Sequence, residues 1–97
     1  MTVLEYSFKQ VAVRVGGKAA LFADGVADLE NAGDGTFYVR NLVLDTADGT
    51  LLLRWAARDN QTFEAHVFRA IESELYASRH ANEAWAEHCE QERADAA

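Results

Sequence analysis

The chain has 97 residues, 49% hydrophobic and 26% charged, with 16 acidic residues against 9 Lys and Arg for a net charge of −7. Ten aromatic residues in so short a chain exclude a disordered segment, and the absence of Pro excludes collagen-like or Pro-rich linker sequence. A lone Cys excludes a disulfide scaffold and a multi-cysteine zinc site, and no apolar run is long enough to span a membrane.

From Val3 to Val15 apolar residues alternate as in a strand, but the phase slips. Leu4, Tyr6 and Phe8 share one parity, whereas Val11, Val13 and Val15 share the other. Strand side chains have a period of two, so the slip predicts a bulge or bend near Lys9-Gln10. Gly16-Gly17 suits a two-residue hairpin turn, and Lys18 to Phe22 continues as a second strand. Asp24-Gly25 is expected to interrupt it as a bulge or another turn. Val26 to Glu30 reads equally as more strand or as a short helical turn.

Asn31-Ala32-Gly33-Asp34-Gly35 is the strongest turn signal, and residues 36–44 follow as a strand rich in β-branched and aromatic side chains. Thr46-Ala47-Asp48-Gly49 turns the chain again. Residues 50–57 form the next strand, with Leu51, Leu53 and Trp55 on one face and Leu52 and Arg54 on the other. Several strands carry apolar residues on both faces, so a helix or a second protomer is expected to cover the face turned from the core.

From residue 61 the period changes. Phe63, Val67, Ile71 and Leu75 recur every four residues, flanked by Phe68 and Tyr76, as in an amphipathic helix lying on a sheet. Asp59 and Asn60 are the N-cap candidates. One helix over residues 61–93 would be about 50 Å long at about 1.5 Å per residue. A compact domain of this size is only about 32 Å across. The helix is therefore expected to break around Ser78 to Asn82, with Asn82 capping a second helix. The fold class is α+β, one domain over residues 1–97. An antiparallel meander of four to five strands (1–58) precedes one or two helices (60–93) packed on one face, with residues 94–97 as a frayed tail.

The excess acid sits in two blocks. Asp24, Asp28, Glu30, Asp34, Asp45 and Asp48 face only Arg40 in the first. Glu72, Glu74, Glu83, Glu87, Glu90, Glu92 and Asp95 face Arg79 and Arg93 in the second. Direct nucleic-acid binding requires clustered Lys and Arg to neutralise phosphates, and this chain has no such cluster.

No catalytic motif is present. Cys89 next to His88 is not a nucleophile–base pair, because adjacent helix residues do not face each other. Ser7, Ser73 and Ser78 stand in no nucleophile motif. His80, Glu83, Glu87 and His88 lack HExxH spacing and read as a solvated helix face, so no metal or cofactor is expected. His66 is expected at the sheet boundary. Asp34-Gly35 and Asp45-Thr46-Ala47-Asp48-Gly49 put ligands at the wrong positions for a calcium loop and read as hairpin turns. Tyr38, Trp55 and Phe37 read as packing and cross-strand pairs, since stacking platforms for single strands sit in basic grooves.

In size, acidity and lack of catalytic motifs the whole chain resembles phage-encoded inhibitors such as anti-CRISPR proteins, and it is similar in the same way to immunity proteins that neutralise toxins. The resemblance implies a non-enzymatic inhibitor that occupies a basic, nucleic-acid-binding surface of a partner protein or a toxin, imitating the charge of nucleic acid. Partner-binding candidates are Asp24, Asp28, Glu30 and Asp34 from one edge, and Glu83, Glu87, Glu90 and Glu92 from the helix end. Trp85 and Cys89 are candidates for a self-interface, which would make the chain a homodimer or oligomeric accessory domain. A small-ligand carrier with a pocket between sheet and helix is the third expectation. The N-terminal residues lack the basic head and apolar block of a signal peptide, so a cytoplasmic protein is expected.

Overall fold

The computed structural model describes residues 3–15, 17–33, 35–55 and 59–96, the side chains of 15, 19, 20 and 94–96 excepted. Four strands, β1 (Val3–Val15), β2 (Lys18–Asn31), β3 (Phe37–Thr46) and β4 (Gly49–Arg54), form one antiparallel sheet in the order β1-β2-β3-β4. Helices α1 (Phe63–Ala77) and α2 (Arg79–Ala96) follow and pack on one face, giving the expected α+β architecture.

The phase slip in β1 is a bulge. Phe8 pairs with Gly25 and Val11 with Ala23, so Lys9 and Gln10 together oppose Asp24. Gln10 takes a positive φ of 54°, and its N–H donates to the Asp24 carboxylate at 2.7 Å. The bulge returns Val11 and Val13 to the face already held by Leu4, Tyr6 and Phe8. β3 has an equivalent slip that the sequence reading missed. Asp28 pairs with Asn41 but Leu29 with Val39, so Phe37 and Val39 share a face with Leu42 and Leu44.

Asp24-Gly25 neither turns nor ends the second strand. β2 runs through it to Asn31, and Val26 to Glu30 is strand. Glycine is required at 25 because a Cβ there would lie 2.2 Å from the Val43 carbonyl oxygen. The Phe8 ring covers the gap from the neighbouring strand. The hairpin turns fall where expected. Val15 pairs with Lys18 and Thr46 with Gly49, both across two-residue loops, although Gly16 lies outside the described residues. Gly33 and Gly35 take positive φ in the β2–β3 loop, as the Gly-rich turn signal demands.

The core forms between one sheet face and the helices. Tyr6, Ala27, Leu42 and Leu53 make one buried row across all four strands, beneath Phe68, Ile71 and Leu75 of α1. Val67 is buried as the helical stripe predicts, but Phe63 is 64% exposed because it starts α1 at the sheet corner. The α1 N-cap is Thr62, whose Oγ1 accepts from the Ala65 N–H at 3.1 Å, rather than Asp59 or Asn60.

The helix breaks at Ser78, at the start of the expected interval. Ser78 is extended (φ −77°, ψ 119°), and its N–H donates to the Leu75 carbonyl to close α1. Its Oγ accepts from the Ala81 N–H at 3.2 Å to open α2. Asn82 does not cap α2 as expected; its side-chain amide donates instead to the Tyr76 and Ser78 carbonyls at 3.0 and 2.8 Å, and its N–H donates to the Ser78 carbonyl as well, at 3.1 Å. α2 continues through Ala96, past the tail expected to fray at 94, and Ala97 lies outside the described residues. The molecule measures 45 × 25 × 24 Å, longer than a compact sphere. Its long axis matches the β1–β2 hairpin, since 14 residues at about 3.3 Å each span about 46 Å.

Candidate protein-docking surface

Both helices occupy one sheet face, and among the described residues nothing packs on the other. Cross-strand pairing fixes what the open face presents, because paired residues point the same way. Ser7, Val26, Val43 and Leu52 form one row across the four strands, with Leu52 46% exposed. Glu5, Asp28, Asn41 and Arg54 form the next row. Beyond it lie Val3, Glu30 and Tyr38, and at the hairpin end Ala12 and the exposed Phe22. Alternation adds Asp24 and Asp45. The result is an apolar band framed by five carboxylates, Glu5, Asp24, Asp28, Glu30 and Asp45, against two guanidinium groups, Arg40 and Arg54.

One edge of this face is aromatic. Trp55 was expected beside Leu51 and Leu53. Instead the ladder stops at Arg54, the chain turns, and the indole stands edge-on to Tyr38 at 6.1 Å. Glu30 lies between Tyr38 and Arg40, with the Arg40 guanidinium 3.5 Å from its carboxylate. Partial burial, then the neighbouring Glu30 carboxylate, push the Tyr38 phenol above its ordinary range, while Arg40 pulls the other way.

The eight acidic candidates do not form one surface. Asp24, Asp28 and Glu30 belong to the open sheet face, and Asp34 lies outside the described residues. Glu83, Glu87 and Glu90 are exposed on α2, on the far side of the sheet. Several have local duties. Asp24 holds the bulge, Asp28 accepts from the Asn41 amide at 3.4 Å, Glu83 pairs with Arg79 at 2.9 Å, and Glu92 lies 3.2 Å from His88.

Trp85 does not offer a self-interface. It is 3% exposed, sealed against Phe37 at 5.9 Å and His88 at 5.3 Å. Cys89 is half-buried against the same core. Residues missed at the sequence level are Val26, Val43 and Leu52. Their signal was present in the two-faced strands, but the β3 bulge hid which residues share a face.

The chemistry-bearing side chains are dispersed. The Tyr6 hydroxyl and His80 Nδ1 are 2.5 Å apart, tying β1 to α2 at the side of a cleft of about 630 Å³. His66 sits at the sheet boundary as expected. Its Nε2 lies 3.2 Å from the Arg14 carbonyl oxygen, tying α1 to the end of β1. Among the described residues no three His, Cys, Asp or Glu side chains converge on a point. No helix is long and apolar enough to cross a membrane. Searches of known protein families, curated proteins and solved structures for relatives of this chain found no match.

Proposed function

We propose that the protein is a non-enzymatic interaction module that docks through its open sheet face onto a basic surface of a partner, acting as an inhibitor of a nucleic-acid-binding protein or toxin. The observation that carries this reading is the row of half-buried Val26 and Val43 and exposed Leu52, uncovered by either helix and set within a frame of carboxylates. With Ser7 the row crosses four strands, about 14 Å at about 4.8 Å per strand. A standard interface covers about 800 Å² on each partner, so the row supplies the centre and the carboxylates the rim. Rim charge steers a basic partner into encounter, and the apolar centre holds it. The α2 carboxylates point away from such a partner and contribute only to the long-range field.

Affinity capture from host lysate at low and high salt tests this reading, using wild type, Leu52→Asp and Glu87→Lys/Glu90→Lys. A basic nucleic-acid-binding protein should be retained at low salt by wild type and the helix variant, and lost with Leu52→Asp. Equal retention by Leu52→Asp overturns the assignment of the face.

The same apolar row favours a second reading, a face-to-face homodimer. Salt separates the two, because two copies would bring like-charged frames together. Self-association should strengthen as salt rises, whereas docking to a basic partner should weaken.

A further inference from the structure

The open sheet face does not account for a second group of exposed apolar side chains. Leu21, Leu51 and Phe63 are 39%, 40% and 64% exposed, and all lie on the helix side of the sheet. They converge at one corner, where β2, the β3–β4 hairpin and the start of α1 leave a cleft of about 310 Å³ with Val67 at its inner wall. The backbone beside this cleft is also open. β2 pairs with β3 only from Gly25 onward, so among the described residues Lys18 to Asp24 pair with β1 alone. One edge of that stretch therefore presents strand N–H and C=O groups to solvent. Asp45 and Glu64 stand at the cleft mouth.

We propose that this corner binds a short extended segment of a basic partner. The segment adds a strand beside Lys18 to Phe22, seats one apolar side chain among Leu21, Leu51, Phe63 and Val67, and sets a neighbouring Lys or Arg against Asp45 and Glu64. Strand addition supplies backbone hydrogen bonds, and the cleft selects alternate side chains. Charge complementarity chooses the occupant. A second copy of this acidic chain would bring carboxylates against Asp45 and Glu64, whereas a basic segment neutralises them. The apolar part of the site lies on the helix side of the sheet and does not depend on the open-face reading; Asp45, at the sheet edge, is the one residue the two share.

Panning a displayed library of random extended peptides against the intact protein tests the proposal, with counter-selection on Leu51→Asp/Phe63→Ser. Enriched peptides should combine an apolar residue with Lys or Arg one or two positions away. They should bind the double variant about tenfold or more weakly. Glu64→Lys removes no apolar contact, lies away from the open face and should weaken the same peptides, which guards against a folding artefact in the double variant. Leu52→Asp should bind them normally, which separates this site from the open face. No enrichment, enrichment of acidic peptides, or equal binding by Leu51→Asp/Phe63→Ser would overturn the proposal. So would a concentration-dependent dimer in sedimentation that Leu51→Asp/Phe63→Ser abolishes and Leu52→Asp does not, since the corner would then belong to a second copy.

Discussion

The Asp24 carboxylate accepts a hydrogen bond from the Gln10 N–H at 2.7 Å, directly across the β1 bulge. This contact joins the fold to the proposed function. The bulge aligns Phe8 and Val11 on the core face, and Asp24 belongs to the acidic frame of the other. Asp24→Ala should cost about 1–2 kcal/mol in denaturant unfolding through the lost charge-assisted bond. Gln10→Gly should stabilise the protein by about 0.5–1 kcal/mol, because glycine adopts positive φ without penalty.

Gly25→Ala should be among the most damaging single changes in the sheet. The new methyl would meet the Val43 carbonyl at 2.2 Å, and a backbone atom cannot move aside cheaply. A loss of about 2–3 kcal/mol is expected in chemical denaturation. A neutral result would mean that β2 and β3 are further apart here.

Ser78 serves two helices, so its replacement should act on both. Ser78→Ala removes the Oγ acceptor at the start of α2 and should cost about 1 kcal/mol. Asn82→Ala removes the side-chain donor to the Tyr76 and Ser78 carbonyls and should combine with it non-additively, because both residues serve one junction. A double-mutant cycle measured by thermal unfolding checks this coupling.

Tyr38 should titrate above an ordinary tyrosine. The neutral phenol is favoured in the folded state, so its contribution is fully present below the unfolded value and disappears as pH rises through the raised folded one. Phenolate absorbance should lose its most alkaline component in Tyr38→Phe. Glu30→Gln should move that component down by removing the adjacent negative charge. An unchanged profile in both variants would contradict the described environment.

Trp85→Ala should destabilise the monomer by about 3–5 kcal/mol, as for a large buried aromatic, because the indole packs inside the chain's own core. A fully folded variant with altered self-association would instead place Trp85 at an interface.

Much of the fold was legible because its determinants are local. The Leu4–Tyr6–Phe8 and Val11–Val13 parities named the β1 bulge to the residue pair, and glycines placed the hairpin turns. The four-residue stripe and the length argument together located the helix break, although the molecule proved longer than that argument assumed. What was illegible depended on pairing between strands. Gly25 looked like a breaker because nothing in its own neighbourhood reveals Val43 above it. The β3 bulge at Arg40-Asn41 carries no special residue, so the common face of Val39 and Leu42 emerged only from the register. The acidic blocks were visible as composition, but their separation onto opposite sides of the sheet was not. Trp85 read as a self-interface candidate because its covering partner, Phe37, lies 48 residues away in sequence.

The most direct test of the central claim is carboxyl-group footprinting of the protein with and without its captured basic partner. Carbodiimide labelling should fall at Glu5 and Asp28 on the open sheet face in the complex, while Glu87 and Glu90 on α2 keep their free reactivity. Protection of Glu87 and Glu90 with unchanged labelling of Glu5 and Asp28 would contradict docking through the sheet.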